Sequence, residues 1–441
     1  MTRVLVVGAG PAGIRAAERL VRSGLRPIVV DEGARAGGQI YRRPPEGFTR
    51  PPEKLYGSEA GKARTLHALF DGMEAAGQVD YRPQSSVHAI RDGVAHVGAT
   101  RIPYDRMILA VGATDRLVPV EGWQRAGVFS LGAAQIALKA QGVALGRRIV
   151  LAGSGPLLTL VATQLLAAGA GVAAVLDTAT LTQQAQGGTG MALARPAVTG
   201  RGLAMRARLG RLYHAGVRLD RIAEDAVHWR DAKGRAQVTS CDAVALGWHL
   251  RAETQLADLA GARFEWSDIW AQWLPAADEM GRAGPDLYLA GDGLRILGAD
   301  GAEVAGALAA NACLNDIGIA TPDTPALLRR ARRLQRFATA MARAFPWPSD
   351  QLDALPDAAV LCRCEGITVG QMREAAAFGG PEANRVKSMG RIGMGRCQGR
   401  YCQLAATDLI ARYAGLAPQA VGRLRGQPPV RPVPISALLD D

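Results

Sequence analysis

The run VLVVGAGPAGIRAAERLVRSGLRPIVVDE, residues 4 to 32, leaves few folds open. Apolar residues lead into a glycine turn, apolar positions at helical spacing follow, and a second short apolar run ends in acid: strand, turn, helix, strand. In such a unit Gly8 permits the tight turn, Gly10 lets the backbone approach a pyrophosphate, and Gly13 lets the helix lie against the strand. Pro11 and Ala12 open the helix, whose N-terminus receives phosphate charge. Asp31 ends the second strand, where a carboxylate can accept hydrogen bonds from ribose hydroxyls, with Glu32 in reserve. The pattern returns at residues 147 to 177, RRIVLAGSGPLLTLVATQLLAAGAGVAAVLD. Gly153 and Gly155 are in place, and Asp177 would favour NAD over NADP, but Leu158 stands at the third glycine position. A leucine there is expected to push the helix off the strand and narrow the room for a pyrophosphate. NAD(P) at this second site is therefore disfavoured against a vestigial or repurposed turn. The expectation is an α/β chain with two dinucleotide-binding units of Rossmann type.

Four of the six cysteines fall in one C-terminal stretch: Cys362 and Cys364 as CxC, then thirty-two residues, then Cys397 and Cys402 as CxxxxC. Four thiolates converging on one point call for a soft metal, either zinc or an iron-sulfur cluster. Structural zinc favours ligands two to four residues apart within each pair. CxC is tighter, which favours the cluster. Gly366, Gly395 and Gly399 can turn amides toward bridging sulfides, and Arg363, Arg396 and Arg400 either offset the cluster's charge or are simply solvated. A disulfide pair is the plainer alternative. Against it, the chain opens directly on a nucleotide-binding strand with no signal peptide, so a reducing cytoplasm is expected.

The net charge of +12 comes mostly from arginine scattered through the chain. With no nucleic-acid motif beside it, this charge does not point to nucleic acid. No stretch is long and apolar enough to cross a bilayer. The densest basic run, Arg329 to Arg343, has helical spacing and is expected to be an amphipathic linker helix with a wet basic face. Residues 42 to 54, RRPPEGFTRPPEK, are too rich in proline for a helix or central strand and are expected to form a loop over the cofactor or a partner surface. The nucleotide-binding body has no CxxC, so a dithiol relay cannot operate there. Cys241 and Cys313 stand alone in apolar strings as core residues, and His249 after a strand reads as structural rather than as an acid or base. With no paired carboxylates, Ser/His/Asp set or HExxH, the chemistry must come from bound redox groups.

Three further strings identify the first nucleotide. Gly37, Gly38 and Gln39 in GGQI resemble the flavin-side loop of the thioredoxin reductase and glutathione reductase superfamily. MILAVGA, with Ala110 and Gly112, resembles its second strand-and-glycine motif, and LYLAGDG, with Gly291 and Asp292, its late flavin motif. In that motif the aspartate holds the ribityl chain, so the resemblance implies FAD. The superfamily layout places an FAD domain at 1–118 and 262–320, an inserted NAD-like domain at 119–261, a linker helix at 321–357, a small helical [2Fe-2S] domain at 358–415 and a tail at 416–441, extended or docked on a neighbour.

Over nearly its whole length the chain resembles the FAD-containing alpha subunits of hydrogen cyanide synthase, opine oxidase and the D-hydroxyproline dehydrogenase group. GGQIYR and AGSGPLL carry the likeness, and CRCEGIT and GRCQGRYC resemble the [2Fe-2S] domain related to bacterioferritin-associated ferredoxin. The resemblance implies an oxidoreductase acting on the carbon-nitrogen bond of an amino acid, imino acid or opine. Substrate oxidation is then expected in a separate FAD-containing beta subunit of amino-acid oxidase type, and a small ferredoxin-like subunit is a further partner of the group. An FMN at a subunit interface is left open. The protein is expected in the cytoplasm, with association to the inner face of the membrane left open. Two other readings stay open: a self-contained NAD(P)H-dependent reductase, and an assembly subunit whose four cysteines bind zinc.

Overall fold

The computed structural model describes residues 2–48 and 50–438. Its first sheet is parallel throughout, in the order Leu287–Leu289, Arg106–Leu109, Val4–Val7, Ile28–Val30, Asp80–Arg82. Val4–Val7 is buried at every position, as a central parallel strand covered on both faces must be. Helix Pro11–Arg22 packs on one face beside helix Gly298–Asp316. The antiparallel strands Ala89–Arg91, Val94–Val97 and Thr100–Pro103 add an apolar patch to the other, where Ala95 and Ile102 meet Leu5, Val7 and Met107.

The second sheet repeats the first. Its order is Tyr213–Ala215, Val172–Asp177, Ile149–Ser154, Ala243–Trp248, Val128–Ser130, again all parallel. The chain passes between the two bodies along Ala113–Asp115 and returns along Leu250–Ala252, and these segments pair antiparallel. The fold is thus α/β with two dinucleotide-type units.

Helix Thr324–Ala344 runs from the first body over helix Leu181–Ala194. Leu334, Phe337 and Ala338 face inward and most of its arginines outward, so the basic run forms an amphipathic helix. The C-terminal module consists of a small hairpin, Val360–Cys362 with Ile367–Thr368, and helices Val369–Gly379, Ala383–Gly390 and Gln403–Ala414. Its core residues Leu361, Met372, Val386, Leu409 and Ile410 form one continuous apolar cluster with Val150, Leu176 and Trp248 of the second body. Trp123 ties the seam, its indole N–H donating to Val360 O at 2.5 Å.

Two local expectations change. Within 42–54 a short helix forms at Pro52–Tyr56, because proline in the first helical turn forfeits an N–H that has no partner anyway. The tail docks on this chain's own flavin-side body: Val430 is buried there and its N–H donates to His88 O. Thr49 and the last residues of the tail, 439–441, lie outside the described residues.

Candidate flavin cradle and thiol pairs

The glycine turn of the first unit is tightly enclosed. A Cβ on Gly13 would sit 1.7 Å from Gly8 O, and one on Gly8 would sit 2.4 Å from Ala110 O. The first contact brings helix Pro11–Arg22 against its strand, and the second brings the MILAVGA strand against the turn. Gly38 packs on Gly10, Gly37 N donates to Ala9 O, and Gly291 faces Ala12. The structure therefore gathers Gly8, Gly10, Pro11, Ala12, Gly13, Gly37, Gly38, Ala110 and Gly291 around one helix N-terminus. Gln39 lies one residue beyond, its side-chain oxygen accepting from Arg42. Gly112 lies where the first body hands over to the second.

The carboxylates take distinct places. Asp31 Oδ2 accepts from Ala9 N at 2.5 Å and Oδ1 from Gly33 N at 2.6 Å, so this residue pins the turn. Its pKa is raised by burial, which outweighs those two bonds. Glu32 points outward to Arg431 of the tail, 3.3 Å away. Asp292 Oδ1 accepts from Leu297 N and Gly298 N, and burial pushes its pKa up to about 6. Among the described residues its Oδ2 has no protein donor. That oxygen is available to a ribityl hydroxyl, and the donor set fits FAD.

The second turn is built differently. Leu158 is fully buried among Leu131, Leu151 and Val161. Gly153 and Gly155 keep the turn, but Asp177 is fully buried, accepting from Tyr213 Oη at 2.6 Å and from Ala179 N at 2.8 Å. Burial raises its pKa to about 6. His249 lies against Gly155 in the left-handed region at φ 66°, its Nδ1 accepting from Leu250 N and its Nε2 buried with no partner. Burial lowers its pKa to about 4, so it is neutral at physiological pH.

In the C-terminal module the four thiols are neighbours: Cys402 feels Cys362, Cys397 and Cys364, and Cys364 feels Cys397 and Cys362. Among the thiols, Cys362 is influenced most by Cys402, and Cys364 most by Cys397. Among the described residues no group of three or more His, Cys, Asp or Glu side chains is gathered to hold a metal ion. The Cys402 thiol and the N–H groups of Gly393, Glu365 and Cys364 hold Cys362 down at about 6 against the effect of burial. Burial, then Cys397, pushes Cys364 up to about 11. Cys402 rises well above the ordinary thiol, chiefly through Cys362. Gly395 is required here: a Cβ on it would meet Cys364 Cβ at 2.4 Å. Cys362 and Cys402 are buried while Cys364 is exposed. Four such soft donors fit a [2Fe-2S] cluster and fit one tetrahedral ion as well. Cys241 and Cys313 are buried apart from them.

Sequence reading missed Lys139, which is 4 % exposed and donates from Nζ to Ile40 O of the GGQI loop at 2.9 Å. Burial lowers its pKa to about 8. It also missed Glu253, 2 % exposed beside the flavin-side turns. Neither sits in a motif; for Lys139 alone, a charged residue inside the largely apolar string AAQIALKAQGVAL was an available signal. No helix among the described residues is long and apolar enough to cross a membrane.

Residues 2–312 match the family model described as pyridine nucleotide-disulphide oxidoreductase, and residues 360–440 match the sarcosine oxidase A3 domain. The opine oxidase A-subunit of Rhizobium meliloti is 37 % identical, the alignment spanning 99 % of this chain and 86 % of the relative. Hydrogen cyanide synthase subunit HcnB of Pseudomonas protegens is 30 % identical over 98 % of this chain and 96 % of that one. Among solved structures, L-proline dehydrogenase from P. horikoshii superposes with a TM-score of 0.73 at 18 % identity, covering 100 % of this chain and 79 % of that one. The chain belongs to the pyridine nucleotide-disulphide oxidoreductase family and, within it, to the flavin oxidoreductase subunits that include HcnB and the opine oxidase A-subunit.

Proposed function

We propose that this chain is the FAD- and [2Fe-2S]-carrying electron-transfer subunit of a hetero-oligomeric dehydrogenase that oxidises the carbon-nitrogen bond of an amino acid, imino acid or opine. The observation that carries the reading is the pairing, on one polypeptide, of an enclosed glycine turn with an Asp292 oxygen that has no donor among the described residues and four neighbouring thiols. The names of the relatives, opine oxidase and hydrogen cyanide synthase subunits, support both the substrate class and the subunit status. The two parallel sheets, and the hairpin and helices that carry the cysteines, support a division into an FAD domain, an inserted NAD-like domain and a C-terminal cluster domain.

In this reading Gly8, Gly10 and Gly13 admit the pyrophosphate to the helix N-terminus, Asp31 faces the adenosine ribose with Glu32 beside it, and Asp292 holds the ribityl chain. Gly37, Gly38, Gln39, Ala110 and Gly112 shape the flavin side, and Cys362, Cys364, Cys397 and Cys402 hold the irons. When bound, the flavin supplies two-electron acceptance with stepwise release, and the cluster supplies one-electron transfer. The polypeptide supplies fixed positions and shelter from water. Substrate oxidation falls to a partner flavoprotein subunit of amino-acid oxidase type.

The self-contained NAD(P)H reductase is disfavoured by the buried Asp177 and the filled Leu158 position, and NADH added anaerobically is expected to leave the flavin oxidised. Co-purification from the native source is expected to bring a second flavoprotein chain, with the flavin here bleached by substrate only in that complex. Brisk oxidation of an opine or imino acid by the isolated chain would contradict the division of labour.

A further inference from the structure

The return segment Arg251–Gln255 lies between the flavin-side turns and the loop that carries two of the cysteines. On one side, Glu253 N donates to Gly112 O at 3.0 Å, and Glu253 O lies 3.5 Å from where a Cβ on Gly293 would be. Both later flavin motifs thus touch this one residue. On the other side, Gln255 Nε2 donates to Cys397 O at 3.3 Å and to Gln398 O at 2.7 Å, while Arg251 Nη1 donates to Arg400 O at 2.7 Å. Arg400, between Cys397 and Cys402, closes the arrangement. Its Nε lies 2.6 Å from Glu253 Oε2, its Nη2 donates to Gln255 Oε1 at 2.9 Å, and its own N–H donates to Cys397 O at 3.1 Å. The side chains of Glu253 and Arg400 are 2 % and 14 % exposed. Glu253 Oε2 and Arg400 Nε make no aligned hydrogen bond, so charge holds that contact, and water does not screen it as it would at the surface.

We propose that Glu253, Gln255 and Arg400 are positioning residues that clamp the Cys397–Cys402 loop to the flavin-side turns and set the electronic coupling between the two redox centres. The inference rests on the proposed function, since it needs both centres present. Glu253 is a peptide neighbour of the flavin-side return strand and an ion-pair neighbour of the cysteine loop. From Gly112 the connection runs by one hydrogen bond to Glu253, along the chain to Gln255, and by one more to Cys397. Loss of the carboxylate leaves Arg400 uncompensated beside Cys397 and Cys402. This stabilises the reduced, more negative cluster and raises its midpoint potential.

The test compares Glu253→Gln, Arg400→Gln and Gln255→Ala with the wild type as the full chain. In metal-stripped protein, a double-mutant unfolding cycle on Glu253 and Arg400 should be non-additive by about tenfold or more in the unfolding constant. In protein holding its full iron and labile sulfide, Glu253→Gln should shift the cluster's midpoint potential upward. Gln255→Ala, which buries no charge and so serves if Glu253→Gln fails to fold, should slow flavin-to-cluster electron transfer by about tenfold. Additive unfolding, or an unshifted potential and an unchanged transfer rate at full iron content, would overturn the clamp. Wild-type protein that holds flavin but takes up no iron under reconstitution would overturn the functional reading instead.

Discussion

The two dinucleotide units share strand order and turn, yet they differ at the third glycine position and in what the acid ending the second strand does. In the first, Gly13 allows the helix to touch Gly8, and one Asp292 oxygen has no donor among the described residues. In the second, Leu158 contributes a fully buried side chain to the core, and Asp177 spends its carboxylate on Tyr213 and Ala179. The contrast shows that one topology can carry two different linings around its glycine turn. The second body has another task in this chain: its apolar core runs without interruption into the cysteine module.

The sharpest way to break the comparison is to exchange the decisive residues. Gly13→Leu forces four extra carbons against Gly8 O, where not even a Cβ fits, and should cost more than about 3 kcal/mol and abolish flavin content. The absorbance of the purified variant checks this. Leu158→Ala should cost about 2 to 5 kcal/mol by leaving a cavity, with flavin content unchanged, as denaturant unfolding followed with flavin analysis would report.

Asp177 gives a pH test. Its folded pKa, about 6 against 3.8, means that the folded state holds its proton longer, so stability falls as pH rises from about 4 to 6 and the penalty is complete above that. Asp177→Asn should therefore gain up to about 3 kcal/mol at pH 7 relative to wild type, a gain that vanishes near pH 3. Asp292 titrates in the same window, and flavin occupancy distinguishes the two, since only Asp292→Asn should weaken flavin retention.

The smallest effect concerns the seam between the bodies. Lys139, with its folded pKa near 8 against 10.5, lets stability rise between those pH values, because the unfolded chain there binds more protons. Lys139→Met should flatten that rise and gain about 1 to 2 kcal/mol at pH 7, after loss of the bond to Ile40 O. Unfolding curves at pH 7 and 10 check the sign.

Much of this was legible in the chain because glycine spacing reports backbone approach directly: Gly8, Gly10 and Gly13 specify a turn that other residues cannot make. Leu158 announced, for the same reason, a second helix that meets its sheet through a side chain rather than through a glycine. The different burial of the four thiols could not be read from spacing, because it depends on how the Gly393–Gly399 loop folds back. Glu253 was invisible for a different reason. Its partners Gly112 and Arg400 are far away in sequence, and a single acid near the end of a strand has no periodicity to mark it. The docked tail, too, is a proline-rich stretch whose anchor, Val430, is one ordinary valine.

The account depends on two electron carriers sharing this polypeptide. Flavin, iron and acid-labile sulfide should therefore be measured on the same oxygen-free preparation. About one FAD, two irons and two sulfides per chain are predicted, with the iron lost and the flavin kept in Cys362→Ser. Protein that carries FAD but zinc in place of iron, or no flavin at all, would contradict it.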